Sequence, residues 1–407
     1  MNFIKNGGIT TPKGFNASGI YCGIRKKNDK FDLALIYANR MCNSAAVYTK
    51  NLVKGAPIYV TRENLENGMA QAIICNSGNA NTCNADGIDK AKLICEKTAE
   101  VLGIGKNDVI IASTGVIGQP IDAEKIVAAL PELTKKLGKN QQSSDDAARA
   151  IMTTDLVKKE FAIEVEIGGK TACIAAIAKG SGMINPNMAT MLCFITTDLA
   201  ISVEMLHSAL VESIGGTFNM TTVDGDTSTN DMVSVMASGL AGNAEITAKN
   251  EDYNLFLTAL NMLNKAVCMA IAKDGEGATK LIVSQVFNAK SDETAKKIAK
   301  TVVSSPLVKT MIFGADANFG RILCAIGYNG VEVDVNKIDI EFMSAAGSVV
   351  VSKNGMSFTF DEETAKKILL ENEIYIKINL NDGHNQAEAY GCDLTYEYVR
   401  INGDYRS

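Results

Sequence analysis

The sequence predicts a mixed α+β fold with sizeable sheets. Apolar runs of strand length and segments of helical periodicity follow one another in irregular order, which favours α+β over the strict alternation of a doubly wound parallel sheet. The chain has 407 residues, and because single hydrophobic cores rarely grow beyond about 250–300 residues, two packed units are expected. Its 34 glycines outnumber its 6 prolines, so tight glycine turns are expected to join the elements.

In the first half, the elements follow from apolar runs and from the residues that interrupt them. Strands are predicted at residues 32–37, 70–75 and 109–112. A helix is predicted at residues 88–102, where apolar side chains recur at helical spacing and Gly103 ends the pattern. A hairpin is predicted from residues 161–167 and 171–178, with one face exposed to water because glutamates alternate with apolar residues in its first strand.

In the second half, helices and strands again alternate irregularly. A strand at residues 191–195 follows a long loop, and helices are predicted at residues 251–272 and 291–303. Further strands are predicted at residues 281–287, 308–313, 338–342, 348–352, 373–380 and 387–394. The last third of the chain is therefore expected to be rich in strands.

Composition excludes several classes of partner. The net charge is 40 − 46 = −6, and no basic block could neutralise a phosphate backbone, so nucleic acid is not an expected partner. No segment has about 18 uninterrupted apolar residues, and Met1 to Gly8 lacks the apolar region of a secretory signal. The 10 cysteines form no Cys-x-x-Cys pair, which is typical of reduced, buried thiols. We therefore expect a cytoplasmic protein with no membrane contact.

Sites of other chemistries are poorly supported. With His207 and His384 as the only histidines, neither a Ser-His-Asp relay nor a histidine-rich metal site is expected. The loop from Asp224 to Asp231 has the composition of a calcium loop, but Val235 stands where an EF-hand requires glutamate. That loop is expected to be either a structural turn or a turn that lines an active site, and no metal is predicted.

The run from Lys179 to Asp198 points to a nucleophile. Its sequence is Lys-Gly-Ser-Gly-Met-Ile-Asn-Pro-Asn-Met-Ala-Thr-Met-Leu-Cys-Phe-Ile-Thr-Thr-Asp. A turn-rich loop thus leads to the pair Ala189-Thr190, directly before a buried strand. If the bond between Ala189 and Thr190 were cut, Thr190 would gain an α-amine that could serve as the general base for its own hydroxyl. Taken alone, the pair Ala189-Thr190 favours the simpler interpretation of a β-branched residue in a buried strand.

This run resembles the self-cleavage segment of the glutamate/ornithine N-acetyltransferases of arginine biosynthesis, with Asn185 where alanine is usual. The resemblance covers nearly the whole chain, and several ordered motifs at matching intervals are more specific than any one of them. The other motifs are Thr11-Pro12-Lys13-Gly14-Phe15, Asn76-Ser77-Gly78-Asn79-Ala80-Asn81, Ser113-Thr114-Gly115-Val116-Ile117-Gly118, Asp274-Gly275-Glu276-Gly277-Ala278-Thr279-Lys280 and Tyr398-Val399-Arg400-Ile401-Asn402-Gly403-Asp404-Tyr405-Arg406-Ser407.

The resemblance implies a fold in which β-sheets are sandwiched by helices, and a chain that cuts itself. The products would be an alpha chain of residues 1–189 and a beta chain of residues 190–407, which remain folded together as a heterotetramer with two copies of each. The enzyme would move an acetyl group from N-acetyl-L-ornithine to L-glutamate through an acetyl-Thr190 ester, giving ornithine and N-acetylglutamate. No metal or organic cofactor would be needed, although acetyl-CoA could serve as a further acetyl donor.

The resemblance also assigns roles to individual residues. Thr190 would be the nucleophile, and Thr114 and Gly115 would form the oxyanion hole that stabilises negative charge on a carbonyl oxygen. Glu276 would suit the side-chain ammonium of ornithine. The residues expected to contact substrate are Thr153, Lys179, Thr190, Glu276, Asn402 and Ser407, with Thr154 as an alternative to Thr153. The loop from Gly314 to Arg321 departs from the family pattern at Ala317 and Phe319, where proline and tryptophan are usual.

Two other functions are compatible with the same residues. An amidohydrolase or aminopeptidase with a self-generated terminal nucleophile would use water as the acceptor in place of an amine. A non-catalytic amino-acid-binding protein would keep the pocket and remain uncut. Lys179, Glu276 and Asn402 favour an amino-acid acceptor over water.

Overall fold

The structure, a computed structural model, describes residues 1–26, 30–185 and 191–404. The chain divides into two compact units, as its length predicts. The first unit comprises Met1–Gly180, Asn187–Gly215 and Thr227–Val267, and the second comprises Ser181–Pro186, Gly216–Asp226 and Cys268–Ser407. Both units combine a sheet with helices in mixed order, which confirms the predicted α+β class.

The first unit contains a mixed sheet with short and long strands. Its strands are β1 (Asn2–Phe3), β2 (Phe15–Ile20), β3 (Leu33–Tyr48), β4 (Met69–Asn76), β5 (Val109–Ser113), β6 (Lys159–Ile167), β7 (Lys170–Lys179), β8 (Leu192–Thr197) and β9 (Met232–Ala237). Its helices are α1 (Ala56–Asn64), α2 (Gly87–Leu102), α3 (Ala123–Lys135) and α4 (Gln141–Ala150). Two later helices, α5 (Val203–Gly216) and α6 (Glu251–Lys273), begin in this unit, whose last two segments end at Gly215 and Val267.

The sheet order in the described part of this unit is β1-β6-β7-β8-β9-β3-β4-β5, with β2 paired to β3. The long strand β3 pairs with β4 mainly through its first half and with β9 through its second half, and its register with β4 shifts between Tyr37 and Cys42. Such an irregularity bends a strand and increases its twist. The strand β8, predicted from its apolar run, lies between β7 and β9 and is buried along its whole length.

Helices cover both faces of this sheet. On one face, α1, α2 and α3 pack against apolar side chains of β2 to β5, such as Leu35 and Ile111. On the other face, α4 packs through small residues including Ala147 and Ala150. In the predicted hairpin, most of the second strand, β7, is buried. The exposed face predicted for this hairpin is confirmed at Glu164 and Glu166 of β6, which are exposed, and is wrong for β7 beyond its first two residues.

The second unit is built around a sheet with strand order β13-β12-β11-β14-β10-β15 among the described residues. These strands are β10 (Leu281–Ala289), β11 (Asp339–Ser344), β12 (Gly347–Lys353), β13 (Met356–Ser357), β14 (Glu373–Asn379) and β15 (Asn385–Cys392). Its helices are α7 (Asp292–Ser304), α8 (Pro306–Phe313), α9 (Phe319–Gly327), α10 (Glu362–Leu369) and α11 (Tyr396–Gly403). One face of the sheet, with side chains such as Ile340 and Ile376, forms a core with α7 to α10.

The predicted strand at residues 308–313 is wrong, because these residues belong to the helix α8. Ser305 caps this helix by accepting a hydrogen bond from the amide of Val308, and Pro306 occupies the first helical turn. Serine followed by proline is a helix-start signal. A short apolar run does not by itself distinguish a buried helix from a buried strand.

Among the described residues, α6 is the one helix whose length and apolar composition would suffice to cross a membrane. Half of its most apolar window, 50%, is buried inside the protein. Its buried side chains include Phe256, Leu260 and Leu263, which recur at helical spacing. This is the pattern of a core helix in a globular protein.

Candidate active site

Thr114 and Gly115 follow directly after β5, at a point where the chain approaches another turn very closely. The amide of Thr114 donates a hydrogen bond to the carbonyl of Asn76 (3.0 Å), and the hydroxyl of Ser113 donates to Asn76 Oδ1 (2.6 Å). Gly115 has φ +131°, and a Cβ at this position would lie 2.4 Å from the carbonyl carbon of Gly78. Only glycine therefore fits here, and the fit fixes the direction of the backbone at the predicted oxyanion hole.

Lys179 lies at the end of β7, and its side chain meets Thr114. Its Nζ donates a hydrogen bond to Thr114 Oγ1 (3.3 Å), and the lysine is 8% exposed. In sheet order β8, β9, β3 and β4 lie between β7 and β5, so the sheet must curl for the two side chains to meet. On its other side Lys179 pairs with Leu192, which begins β8 two residues after Thr190. The structure thus brings together two residues that the sequence assigns to one site.

Asp155 is a buried carboxylate that organises the neighbouring backbone. Its oxygens accept hydrogen bonds from the amides of Thr153 (2.9 Å) and Gly180 (2.7 Å) and from Nζ of Lys159 (2.6 Å). Burial acts to raise the pKa of Asp155, but the charges of Lys159 and Lys179 and the hydrogen bonds outweigh it and hold the pKa well below its ordinary value. Asp155 therefore links a predicted substrate contact, Thr153, to the residue that follows Lys179.

Asn230 connects, through its side-chain hydrogen bonds, the turn that contains Ala80 to the end of β5 next to Thr114. Its Nδ2 donates hydrogen bonds to the carbonyls of Ala80 (2.6 Å) and Ser113 (3.0 Å). Its Oδ1 accepts one from Thr82 Oγ1 (2.6 Å). Asn230, Asp155 and Lys159 carry no motif in the sequence, because their partners are distant in sequence or lie in an irregular turn.

In the second unit, Glu276 and Asn402 form a separate pair. Nδ2 of Asn402 donates a hydrogen bond to Glu276 Oε2 (2.8 Å), and the amide of Glu276 donates to the carbonyl of Ser181 (2.8 Å). A Cβ at Gly182 would lie 2.4 Å from the carboxyl carbon of Glu276. The carboxylate of Glu276 thus lies against the backbone of the loop that continues from Lys179 toward the predicted cleavage point.

The same loop is anchored by Asp224. The amides of Met183 and Ile184 donate to its two oxygens (2.6 and 2.9 Å), and the hydroxyl of Tyr398 donates to Oδ2 (3.3 Å). Burial is the main cause that raises the pKa of Asp224. Because Tyr398 and Asn402 both belong to α11, this helix contacts two of the carboxylates that hold the loop.

Comparison with known proteins decides the family. The sequence model of the ArgJ family matches residues 16–407. The chain belongs to the ArgJ family. The arginine biosynthesis bifunctional protein ArgJ of Caldanaerobacter subterraneus subsp. tengcongensis is 49% identical over 405 residues, covering 99% of this chain and 100% of the relative. The protein ArgJ 1 of Clostridium acetobutylicum is 47% identical over 408 residues, covering 100% of this chain and 99% of the relative.

Two solved structures resemble parts of the chain. The crystal structure of arginine biosynthesis bifunctional protein ArgJ from Bacillus halodurans has 49% identity and a TM-score of 0.49, covering 52% of this chain and 97% of that one. The structure of ornithine acetyltransferase complexed with ornithine from Mycobacterium tuberculosis has 33% identity and a TM-score of 0.43, covering 46% of this chain and 99% of that one.

The family membership confirms the predicted resemblance, the function in arginine biosynthesis and the acyltransferase class of the enzyme. The roles of individual residues stay predictions. Ala189, Thr190 and Ser407 lie outside the described residues. Within the described ranges, no group of three or more histidine, cysteine, aspartate or glutamate side chains is placed to hold a metal ion.

Proposed function

We propose that this chain cuts itself between Ala189 and Thr190 and then transfers acetyl groups from N-acetyl-L-ornithine to L-glutamate through an ester on Thr190. The observation that carries this proposal is the contact between Lys179 and Thr114. In this contact the ammonium of Lys179 donates a hydrogen bond to the hydroxyl of Thr114, next to Gly115, a position that only glycine fits. Lys179 also pairs with Leu192 of β8, the strand that begins just after Thr190. Such a set of fixed donors suits a reaction in which negative charge develops on a carbonyl oxygen.

In the proposed maturation step, the hydroxyl of Thr190 attacks the carbonyl carbon of Ala189. The carbon–nitrogen bond breaks, and the nitrogen of Thr190 becomes a free amine while its hydroxyl holds the ester. Water hydrolyses the ester, which leaves a carboxylate on Ala189 and a free hydroxyl on Thr190. The alpha and beta chains, residues 1–189 and 190–407, remain folded together, and we propose two copies of each in the assembly.

In the proposed cycle, the α-amine of Thr190 takes the proton of its own hydroxyl as that oxygen attacks the acetyl carbonyl of the donor. The hydroxyl of Thr114 and the amide of Gly115 stabilise the resulting oxyanion. Collapse of the intermediate transfers acetyl to Thr190, and the α-amine of ornithine leaves with a proton. The amine of glutamate then attacks the ester to give N-acetylglutamate and restore the hydroxyl.

Substrate recognition is assigned to charged and polar side chains. Lys179 would bind a substrate carboxylate, and Glu276 would bind the side-chain ammonium of ornithine. Thr153, Asn402 and Ser407 complete the proposed contacts. Acetyl-CoA is a second proposed donor, which would load Thr190 and release the CoA thiol, in keeping with relatives named bifunctional. The proposed location is the cytoplasm, in keeping with buried, free thiols at most of the cysteines.

The proposed function is tested by measuring the intact mass and the N-terminal sequences of the purified protein. We expect two fragments that meet at Ala189 and Thr190, because the new amine arises only if Thr190 attacks its neighbour. The Thr190→Ala variant should remain one chain and lose acetyl transfer by about 10⁴-fold or more, as expected for loss of a nucleophile. Thr171→Ala, at an exposed position near the start of β7, serves as the control and should be cut normally. A wild-type chain that stays whole after long incubation would refute the proposal.

Replacing Glu276 by glutamine should weaken recognition of ornithine specifically. Loss of a charged hydrogen-bonding partner costs about 1.5–3 kcal/mol, so kcat/KM for N-acetylornithine should fall roughly 10- to 100-fold. The same constant for glutamate should change far less, because glutamate has no side-chain ammonium. The exposed Glu371, replaced by glutamine, is the matched control. Equal losses for both substrates would argue against an ammonium-binding role of Glu276.

The hydrolase alternative is tested with the wild-type enzyme. Deacetylation of N-acetylornithine at full rate without glutamate would indicate a hydrolase.

A further inference from the structure

Arg25 is a half-buried cation that the proposed mechanism does not use. Its Nη2 donates a hydrogen bond to the carbonyl of Met152, and its Nε donates to Ser77 Oγ (3.3 Å). The carboxylate of Asp32 accepts from the backbone amides of Cys22 (2.6 Å) and Arg25 (2.9 Å). Among the described residues, however, no carboxylate forms an ion pair with the guanidinium. Arg25 is always charged and keeps N–H groups to spare, so it is suited to an anionic ligand.

The contacts of Arg25 place it beside two parts of the predicted site. Its guanidinium touches the peptide group that joins Met152 to Thr153, a predicted substrate contact. Its side chain also lies against the turn that restricts Gly115. A Cβ at Gly78 would lie 2.9 Å from Arg25 Cγ, and a Cβ at Gly115 would lie 2.4 Å from the carbonyl carbon of Gly78. Arg25 therefore lies next to the predicted oxyanion hole and next to a predicted substrate contact, all within the first unit.

Space for a ligand is present next to these residues. A cavity of about 370 Å³ is lined by Met152, Asp155 and Tyr21, among others. The hydroxyl of Tyr21 donates to the carbonyl of Arg25 (3.0 Å), so two of the lining residues, Tyr21 and Met152, contact Arg25. The negative charge of Asp155 is offset by its ion pair with Lys159 (2.6 Å). The surroundings of Arg25 can therefore accept an anion.

The proposed cycle requires a further cation, because its two amino acids carry opposite charges on their side chains. Glu276 suits the side-chain ammonium of ornithine, but its carboxylate would repel the side-chain carboxylate of glutamate. Lys179 suits the α-carboxylate that both amino acids share. The carboxylate that only glutamate carries needs a cation that is not already paired with an acidic side chain.

We propose that Arg25 binds the side-chain carboxylate of the acceptor glutamate and so selects glutamate over glutamine. This inference rests on the proposed function. The spare N–H groups of the guanidinium would donate to the carboxylate oxygens, which gives strong, charge-assisted hydrogen bonds. Glutamine has a neutral amide at the same position and would bind less tightly. The contacts with Met152 and Ser77 hold the guanidinium in place before the substrate arrives.

The test compares glutamate with glutamine as acetyl acceptors of the cleaved enzyme, with N-acetylornithine as the donor. In the wild type, kcat/KM should be higher for glutamate. In Arg25→Gln it should fall about 10- to 100-fold for glutamate and change little for glutamine. The same constant for N-acetylornithine should stay nearly unchanged, because in a ping-pong cycle it reports only the transfer from donor to enzyme. Arg40→Gln, at an exposed position of β3, is the control and should change none of these constants.

A purely structural role of Arg25 predicts a different pattern. Arg25→Lys keeps the positive charge but not the planar fork, so its preference for glutamate over glutamine should lie between those of the wild type and Arg25→Gln. Equal losses for N-acetylornithine, glutamate and glutamine, or an unchanged preference in either variant, overturn this inference alone. If Arg25→Gln does not fold, the preference of Arg25→Lys decides. A wild-type enzyme that forms no N-acetylglutamate overturns the proposed function and this inference together.

Discussion

Replacing Gly115 by alanine should lower kcat for acetyl transfer by about 10²–10³-fold, the usual effect of losing one oxyanion donor. The added Cβ would lie 2.4 Å from the carbonyl carbon of Gly78 and 2.6 Å from the amide nitrogen of Asn79. Both atoms belong to backbone, so the chain after β5 must move to relieve the contact. The φ of +131° is itself unfavourable for alanine. The move displaces the Gly115 amide and the Thr114 side chain that would stabilise the oxyanion. The measurement is steady-state kcat with saturating N-acetylornithine and glutamate.

Gly118 supplies a matched control within the same loop. It also has a positive φ, +77°, but a Cβ at Gly118 would have no neighbour within 4 Å. Gly118→Ala should therefore cost only the backbone strain of about 1–2 kcal/mol in stability and leave kcat nearly unchanged. If the two variants lose kcat equally, the loss in Gly115→Ala reflects a general disturbance of the loop after β5 and not a specific oxyanion role of Gly115. If Gly115→Ala keeps normal kcat, Gly115 has no oxyanion role.

The strands were the part of the fold most readily predicted from the sequence. Apolar runs bounded by polar turns gave the strands now seen as β4, β5 and β10 to within a few residues, because such strands are buried on both faces. The helix α8 shows the limit of this reasoning, since its apolar run is equally compatible with a strand and is decided by the cap at Ser305 and by Pro306.

The candidate site was predictable only where a motif names the residue. Resemblance to the family pointed to Thr114, Lys179, Glu276 and Asn402, and the structure places Lys179 against Thr114 and Asn402 against Glu276. The residues that hold this geometry were not predicted. Asn230 meets the carbonyls of Ala80 and Ser113 from 150 and 117 positions away, and contacts at such separations leave no periodic or local signal in one sequence.

Removing the carboxylate of Asp155 should destabilise the protein by about 3–5 kcal/mol, the usual cost of breaking one side of a buried ion pair. Lys159 is 1% exposed and Asp155 0%, so Asp155→Ala would leave a buried cation without this anion. The amides of Thr153 and Gly180 would lose their acceptor as well. The free energy of unfolding from urea titration checks the prediction. Breaking the exposed pair of Lys136 and Glu132 by Glu132→Ala should leave the urea midpoint nearly unchanged.

The pH dependence of this stabilisation separates the charge of Asp155 from its packing. The pKa of Asp155 is held below its ordinary value in the folded chain, and in the unfolded chain it is about 3.9. The ionised form therefore stabilises the fold fully above about pH 4, and this contribution is lost as the pH falls toward the lower folded value. The difference in unfolding free energy between wild type and Asp155→Asn should be constant from pH 7 to pH 5 and shrink below pH 4. A difference that stays constant down to pH 3 would mean that Asp155 stabilises the fold through shape and hydrogen bonding rather than through its charge.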